Sequence, residues 1–288
     1  NMIGFLNVYK PQGMSSAAVV GKIKKQFNLK KVGHMGTLDP MAEGVLPIAI
    51  GNATRMFDYF LNKEKQYVVE AKFGFETPSL DLGTEPINYV NHIPSFNDIK
   101  EACVLFKGKI EQIPPIYSAK NINGQKAYKL ARNGEQVDLK PKDITINKFE
   151  LLEMVDDDSY KFEITCSSGT YIRSLARDIA EKLNTTAIVT YLERTQSGIF
   201  NKDNCVDLNS LLCDENVDKY IIKIQDVFPQ FNSISISDEN CTRLKNGLKV
   251  FVDIKNETNV FVFNNKQLIC VGDIVNNLLT IKTFLLKD

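Results

Sequence analysis

The stretch GHMGTLDPMAEGVLPIAIGNATR runs from Gly33 to Arg55 and changes character halfway along. Its first part, up to Pro40, contains two glycines and an Asp-Pro step, so it cannot be regular helix or strand throughout. Its second part contains the apolar run Val45 to Ile50, which has the length of a buried strand. The pattern predicts a shaped loop on a rigid base, with Asp39 presented from the loop.

Regular elements are predicted on both sides of this loop. Before it, Ser15 and Ser16 can cap a helix whose apolar positions Val20, Ile23 and Phe27 share one face. Asn28 is suited to end that helix. After the loop, the apolar positions of a half-buried strand alternate with less apolar ones. These positions are Tyr67, Val69, Ala71, Phe73 and Phe75.

The rest of the chain predicts a helical and stranded body followed by a β-rich tail. Helices are expected over Asn97 to Phe106, before Asn133-Gly134, and from Ile172 to Leu183, where the apolar residues recur at helical spacing. In the last helix, Arg173 and Arg177 are expected on a face other than the apolar one. Strands are expected at 144–152 and 160–166, and after Pro229 at 233–236, 260–263, 268–271 and 278–281.

Composition places the chain among ordinary globular proteins. The 288 residues are 43% hydrophobic and 24% charged, which excludes a disordered chain, and no apolar run approaches the roughly 20 residues of a membrane span. The first lysine, Lys10, follows the apolar start instead of preceding it, unlike a secretory signal. The six cysteines form no C-x-x-C pair and there are two histidines, so we expect reduced thiols, a cytoplasmic protein and no metal site.

Charge is unevenly distributed although the net charge is zero. Residues 1–72 carry ten Lys/Arg against five Asp/Glu, whereas residues 203–239 carry two lysines against eight acids. Five lysines lie between Lys22 and Lys31, a density that suits contact with a phosphate backbone. A solvated helix face explains the same lysines, and charge alone favours that simpler explanation.

Familiar catalytic motifs are missing from the sequence. It contains no G-x-x-x-x-G-K-[ST] loop, no G-x-G-x-x-G after a strand and no H-E-x-x-H, so ATP, NAD and metal-assisted chemistry lack support. A carboxylate remains as the candidate for covalent chemistry, and Asp39 occupies an exposed loop before a buried strand. An Asp before Pro more often caps a turn, and the dipeptide alone favours that interpretation.

Six ordered segments, including the opening stretch, resemble the tRNA pseudouridine-55 synthase family and span roughly residues 4 to 200. The other five are Lys10 to Ser16, Lys65-Gln66-Tyr67, Thr77 to Gly83, Pro114 to Ala119, and Ser168 to Arg173. The resemblance implies an α+β fold with a mixed, mainly antiparallel sheet flanked by helices over residues 1–229. Residues 230–288 resemble, more weakly, the PUA RNA-binding domain at the end of bacterial members.

The resemblance implies isomerisation of uridine 55 to pseudouridine in the T arm of tRNA. Breaking a C–N bond, turning the uracil and rejoining it through C5 consumes nothing, so no cofactor is expected. The implied partner is the tRNA itself, bound by a stand-alone protein that is a monomer, uses no guide RNA, has no obligatory protein partner and does not associate with membranes.

Roles for individual residues follow from the same resemblance. Asp39 is expected to be the catalytic carboxylate, Arg173 its balancing cation, and Tyr67 the ring that stacks on the uracil and helps remove the C5 proton. Tyr171 and Leu192 are expected to shape the pocket, His34 to fill the place of the flipped-out nucleotide, and Lys10 to contribute to substrate binding. Outside this context, a core tyrosine, a solvated arginine and a surface histidine are the simpler explanations.

Two departures from the family pattern and two alternatives complete the prediction. In Ser118-Ala119-Lys120-Asn121 the lysine comes one place earlier than usual, and Met35 replaces a small residue. A non-catalytic RNA-binding or tRNA-folding protein is one alternative, against which the intact Asp39, Tyr67 and Arg173 argue. The guide-RNA-dependent branch of the same superfamily is the other, and the short tail without long basic segments favours the stand-alone form.

Overall fold

A computed structural model describes residues 2–118, 121–122, 125–134 and 138–286, with side chains at all of these except 121 and 122. The helices are α1 (Ser16–Gln26), α2 (Phe96–Leu105), α3 (Ala127–Arg132), α4 (Ile172–Lys182), α5 (Leu208–Leu212), α6 (Ile224–Val227) and α7 (Asp238–Lys245), with 3-10 turns at Gly51–Phe60, Lys202–Asn204 and Asp218–Tyr220. No helix within these ranges is long and apolar enough to cross a bilayer.

The strands follow in chain order. They are β1 (Gly4–Lys10), β2 (Val32–His34), β3 (Glu43–Ile50), β4 (Lys65–Phe73), β5 (Phe75–Glu76), β6 (Asn88–Tyr89), β7 (Gly108–Gln112), β8 (Asn121–Ile122), β9 (Gln125–Lys126), β10 (Lys142–Asp156), β11 (Ser159–Cys166), β12 (Ala187–Ser197), β13 (Phe200–Asn201), β14 (Val206–Asp207), β15 (Ser233–Ser235), β16 (Val250–Phe251), β17 (Glu257–Asn264), β18 (Gln267–Val275) and β19 (Leu278–Phe284).

One large sheet organises the body of the protein. Its path is β14-β1-β3-β12-β4-β11-β10-β7, with β13 beside β12 and β2 beside β3. The β1–β14 and β12–β3 pairs are parallel, and the other pairs in this sheet are antiparallel. A second sheet, β15-β17-β18-β19-β16, forms the C-terminal unit. The predicted α+β class with a mixed, mainly antiparallel sheet and a β-rich end is confirmed.

Strand β3 lies inside the large sheet and has an interruption on one of its edges. There β12 pairs with Glu43 and Gly44, and β2 pairs with 48–50, so 45–47 have neither partner. Pro47 lies in this interval, where its missing N–H removes no ladder bond. The carbonyls that the interval leaves free are occupied in other ways: the Arg194 Nε donates to Val45 at 2.8 Å and the Met35 amide to Pro47 at 2.9 Å. The loop that carries Asp39 therefore joins the sheet at this interruption.

An aromatic cluster joins the C-terminal unit to the large sheet. The Phe228 ring lies 5.4 Å from that of Phe60 and 5.2 Å from that of Phe231, which in turn is 5.4 Å from Phe261 in β17. Polar contacts reinforce the junction, since the buried Asn52 Nδ2 donates to the carbonyls of residues 285 and 286 at 3.3 and 2.6 Å. The predicted boundary between 229 and 230 thus falls inside one packed cluster.

Most predicted elements are present, and two helices have features that the sequence pattern alone did not show. In α4, Arg173 is 5% exposed, because the Asp39 loop and the 77–81 segment cover it. The C-terminal unit is β-rich, as expected, and it also contains α7, whose Cys241 and Leu244 fill the centre of that unit. These two apolar positions are too few to make a clear helical period in the sequence.

Candidate active site

The Asp39 loop is held in place by polar contacts from three other elements. Ser16 of α1 both donates to and accepts from the Leu38 backbone, at 3.0 and 2.9 Å. Arg194 of β12 donates to the carbonyls of Gly36 and Thr37 at 3.2 and 3.3 Å. The Gly13 amide, in the turn after β1, donates to the Pro40 carbonyl at 2.7 Å. The loop is therefore a rigid support for its aspartate although it lacks regular structure throughout.

Asp39 forms an ion pair with Arg173, the second residue of α4. The Arg173 Nε lies 3.1 Å from the Asp39 Oδ2. The Arg173 Nη1 donates to the Ser79 carbonyl at 2.9 Å and lies 3.9 Å from the Asp81 Oδ2. The arginine side chain is 5% exposed, whereas that of Asp39 is 36% exposed. The cation is thus fixed between two carboxylates, and one of them faces open space.

That space is a cavity of about 330 Å³, at the lower end of the range for small-molecule sites. Residues from the Asp39 loop, the 3-10 turn, β4, the start of α4 and β12 surround it. They include Gly36, Asp39, Phe60, Lys65, Tyr67, Tyr171, Arg173 and Leu192. Five of the predicted site residues, namely Asp39, Tyr67, Tyr171, Arg173 and Leu192, therefore line one cavity.

Tyr67 and Leu192 come from adjacent antiparallel strands, and both are nearly buried. Burial raises the pKa of the Tyr67 hydroxyl to about 12, and the positive charge of nearby Arg194 opposes that shift. The phenol is therefore protonated at neutral pH. Tyr171, just before α4, is held by its backbone: the Gln112 side chain accepts from its N–H at 2.8 Å and donates to its carbonyl at 3.0 Å.

His34 does not line the cavity, but it directly precedes residues that do. It ends β2, paired with Ile48, and is followed by Met35 and Gly36. Burial, and then the positive charge of Arg194, lower the pKa of its imidazole, so the ring is neutral at neutral pH. The His34 Nδ1 is buried and has no hydrogen-bond partner among the described residues.

Lys10 lies behind the Asp39 loop and outside the cavity wall. Its side chain is fully buried, and its Nζ donates to the carbonyls of Pro11, Met14 and Pro40 at 2.8, 2.7 and 3.4 Å. Burial lowers the pKa of this ammonium to about 8, and the negative charge of Asp39 opposes the shift. In this position Lys10 braces the loop from behind, and it is not part of the cavity lining.

Sequence reasoning assigned no role to Arg194, Gln112 or Lys65, although each contacts the site. Arg194 is fully buried inside β12, and the signal for it was a charged pair, Glu193-Arg194, within an otherwise strand-like run. Gln112 gave no signal, because one polar residue at a strand end is common. Lys65 was part of a quoted segment but was not distinguished from a surface lysine.

The two departures from the family pattern have different outcomes. Met35 is 3% exposed and packs into the aromatic cluster at the junction, which has room for its side chain. Lys120 lies outside the described residues, as does the side chain of Asn121.

Elsewhere on the molecule, a larger cleft of about 690 Å³ is lined by residues 2–3, 28–31, 50–52, 223–225, 267–268 and 285–286. Met2, Lys30, Lys31, Lys223 and Leu286 are among its walls, and it is distinct from the Asp39 cavity. The lysines of α1, namely Lys22, Lys24 and Lys25, are exposed. Within the described ranges, no group of three or more His, Cys, Asp or Glu residues is arranged to hold a metal ion.

Comparison with known proteins relates this arrangement to one family. Residues 24–172 match the model of the TruB family pseudouridylate synthase N-terminal domain, and residues 173–224 match that of the tRNA pseudouridylate synthase B C-terminal domain. The second match ends before the β-rich unit begins at β15.

Relatives and solved structures agree with these matches. The chain is 40% identical to tRNA pseudouridine synthase B of Clostridium perfringens over 252 residues, covering 87% of this chain and 85% of the relative. It is 39% identical to that of Rickettsia bellii over 277 residues, covering 95% and 94%. An H/ACA ribonucleoprotein bound to a substrate RNA containing 2′-deoxyuridine has a TM-score of 0.73 at 23% identity, covering 99% and 85%. A Cbf5-Nop10-Gar1 complex has a TM-score of 0.72 at 24% identity, covering 98% and 85%.

The structural similarity establishes the fold, and the sequence matches establish the family that the six segments predicted. They run through the residues that hold the Asp39 loop, line the cavity and bury Arg173. The chain belongs to the TruB family of pseudouridylate synthases.

Proposed function

We propose that this protein converts uridine 55 in the T arm of tRNA to pseudouridine, with Asp39 as the catalytic carboxylate. The observation that carries the proposal is the asymmetry of the Asp39–Arg173 pair. The cation is 5% exposed and fixed by Ser79 and Asp81, whereas the carboxylate is 36% exposed and faces a cavity lined by Tyr67 and Leu192. A charged carboxylate beside an aromatic and apolar slot suits a uracil ring and its ribose.

The target nucleotide must leave the RNA stack to reach this carboxylate. Base flipping costs a few kcal/mol, and stacking on an aromatic side chain returns about 1–3 kcal/mol per base. Tyr67 supplies that surface, and Leu192 on the adjacent strand and Tyr171 complete the pocket. His34 is assigned the place that the flipped nucleotide vacates, consistent with its position just before the cavity lining and with its neutral imidazole.

Asp39 then acts at C1′ of the ribose as the C1′–N1 bond breaks and its electron pair leaves with the uracil. The freed ring turns, C5 bonds to C1′, and the C5 proton is lost while N1 gains one, so the reaction is an isomerisation with no net reactant or cofactor. Arg173 holds the carboxylate in position and balances its charge. Because burial raises the pKa of Tyr67 to about 12, its hydroxyl acts in the protonated form, as a hydrogen-bond donor.

Other parts of the chain have supporting roles in this proposal. Lys10 positions the Asp39 loop through the Pro40 carbonyl and does not contact the substrate directly, unlike the role expected from sequence. The C-terminal unit, as a PUA-like domain, adds contacts to the RNA. The protein acts in the cytoplasm, as a monomer, without a guide RNA or an obligatory protein partner.

The test is to incubate the purified protein with an unmodified tRNA transcript alone and to map pseudouridine by carbodiimide treatment and primer extension. A single new stop one nucleotide 3′ of position 55 is expected, and a transcript with cytidine at position 55 serves as the control. Absence of product with tRNA alone, together with conversion when guide RNA and partner proteins are supplied, would contradict the stand-alone activity. Tight tRNA binding without product under every condition would support a folding protein instead.

A further inference from the structure

Lys65 has an unusual position for a lysine. It is the first residue of β4, two before Tyr67, so both side chains lie on the same buried face of the strand. Both line the Asp39 cavity, and Lys65 is 9% exposed. The Lys65 side chain is therefore part of the cavity wall and is more deeply buried than the carboxylate of Asp39.

The Lys65 ammonium is unpaired in this wall. Within the described ranges no hydrogen bond or ion pair reaches it, and the charged and titratable groups that act on it are Arg194 of β12 and the Cys166 thiol of β11. Burial first, and then the positive charge of Arg194, lower the pKa of Lys65 to about 7. Unpaired buried cations are unfavourable, and they are characteristic of places where a partner arrives with the ligand.

The Asp39 loop leaves room for this amine. Gly36 has a φ of +149°, and a Cβ built on it would lie 2.8 Å from the Lys65 Nζ. Any side chain at position 36 would displace the ammonium or the loop. Because Gly36 has no side chain, the Asp39 loop can lie close to Lys65 without covering its amine.

We propose that Lys65 donates a hydrogen bond to a carbonyl oxygen of the target uracil and stabilises the negative charge that develops on the ring as the C1′–N1 bond breaks. This inference rests on the proposed function and adds a catalytic residue to it. The electron pair of the broken bond stays on the uracil, where it is delocalised over N1 and the carbonyl oxygens, and Asp39 compensates the electron deficit at C1′. Lys65 shares its proton during the step and keeps it, so the overall isomerisation remains balanced.

Uracil, and not the RNA backbone, is the partner that this position favours. Lys65 is more deeply buried than Asp39, on the face of β4 that carries Tyr67, and Phe60, Leu61 and Met35 line the same cavity. Those apolar neighbours suit the edge of a flat ring better than a hydrated phosphate. In its protonated form the Lys65 amine donates and cannot accept, so in that form it pairs with the O4 carbonyl of uracil and disfavours the amino group that cytosine has there.

The experiment compares Lys65→Met with wild type on the tRNA that wild type converts. Single-turnover pseudouridine formation is expected to fall about a hundredfold, the effect of removing one preorganised donor to a developing negative charge. The tRNA affinity is expected to be unchanged. Lys72→Met is the matched control, because it removes a lysine from the other face of the same strand, where Lys72 pairs with Asp158 at 3.5 Å. It is expected to leave the rate unchanged.

A leaving-group test separates charge stabilisation from a purely structural role. In tRNA with 5-fluorouridine at the target position, the fluorine already stabilises negative charge on the departing ring. The rate of C1′–N1 cleavage, measured by nucleoside chromatography, is therefore expected to fall less in Lys65→Met on this substrate than on uridine. Melting by circular dichroism is expected to show a variant at least as stable as wild type, since methionine suits the buried position. Lys65→Gln, measured in parallel, makes the conclusion independent of one variant.

Three results would overturn the assignment. Wild-type rates in both Lys65 variants would remove the catalytic role. Weaker tRNA binding with an unchanged saturated rate would assign Lys65 to a phosphate. An equal defect on uridine and 5-fluorouridine would place it away from the departing ring. Each of these presumes that wild type makes pseudouridine, so failure of the proposed function would be recognised first, in the wild-type protein.

Discussion

Strand β3 has two buried faces, and each packs against a different cluster of buried residues, which we call the first and the second interior. Leu46, Ile48 and Ile50 face the large core, which contains Tyr67 and Leu192, next to the buried charges of the site. Val45 and Ala49 face the aromatic cluster that joins the C-terminal unit to the sheet. Beside the first interior, the Asp39 loop is held by directed contacts to backbone carbonyls, whereas the second interior is packed largely through contacts between rings. The difference suggests that geometry at the site and stability of the junction are separable properties.

The largest expected effect is on chemistry, from Asp39→Asn. The substitution keeps the shape of the side chain and removes the charge that faces the cavity, while Arg173 retains Asp81 at 3.9 Å. Single-turnover pseudouridine formation is expected to fall by about 10⁴-fold or more, with melting temperature and tRNA affinity nearly unchanged. A purified variant that still turned over at a comparable rate would remove Asp39 from the mechanism.

Phe228→Ala tests how much the ring contacts of the second interior contribute to the stability of the protein. This ring is fully buried and contacts those of Phe5, Phe60 and Phe231. Urea unfolding is expected to show a loss of about 3–5 kcal/mol, with turnover close to wild type below the melting temperature. The control Phe251→Ala removes a ring that is 68% exposed and is expected to change stability by less than about 0.5 kcal/mol. A fully folded Phe228→Ala protein with slow chemistry would show that the two properties are coupled.

Arg173→Ala tests whether the buried cation positions the carboxylate. Single-turnover rates are expected to fall by about 10²–10³-fold, as when one preorganised electrostatic partner is removed. Arg177→Ala provides the comparison one turn later in α4, because Arg177 pairs with its neighbour Asp178 at 2.9 Å and lies outside the cavity lining. Equal rates for both variants would mean that the Asp39–Arg173 contact is incidental to catalysis.

Tyr67→Phe separates stacking from the hydroxyl. The ring remains, so tRNA affinity is expected to stay near wild type, while product formation slows by about 10²-fold if the hydroxyl assists proton movement. Tyr67→Ala is expected to weaken binding as well, by about 1–3 kcal/mol, through lost stacking. A wild-type rate for the Phe variant would restrict Tyr67 to stacking.

The effect expected to be smallest per pH unit is the pH dependence of stability that Lys65 contributes. Below about pH 7 the Lys65 amine is charged in both the folded and unfolded states, so the free-energy cost of burying its charge does not change with pH. Between about 7 and the ordinary value of 10.5 the folded protein has released the proton that the unfolded chain still binds, and raising the pH therefore favours the folded state. The free energy of unfolding of wild type is expected to gain on that of Lys65→Met by up to about 1.4 kcal/mol per pH unit in this window. Parallel urea titrations at several pH values measure the difference, and a flat difference would mean that the amine is not desolvated.

The sequence predicted what depends on local pattern and failed where distant segments decide. The alternation of β4 gave its buried face, and the two glycines with Asp-Pro identified the Asp39 loop. The helical pattern alone is compatible with a solvated Arg173, and only the family resemblance placed this residue beside Asp39, because burial of a charge depends on the 77–81 segment and the loop that fold over it.

Support from distant residues was harder to predict than the Asp39 loop itself. Lys10 and Arg194 donate hydrogen bonds to backbone carbonyl oxygens. Every residue has such an oxygen, so the residue types of a segment do not show which carbonyl will accept a bond. The interruption in β3, where Arg194 donates to the Val45 carbonyl, follows from strand register, which Pro47 alone does not specify.

The clamp between Arg194 and the Asp39 loop also sets an order of events during synthesis. The guanidinium and the carbonyls that it holds are separated by more than 150 residues of chain, and β14, which flanks β1, comes later still. A ribosome that has made Asp39, Tyr67 and even Arg173 has therefore produced these residues without the support that aligns them. Contacts of such long separation form late and slowly. The nascent protein thus has no aligned Asp39 loop until β12 has joined the sheet.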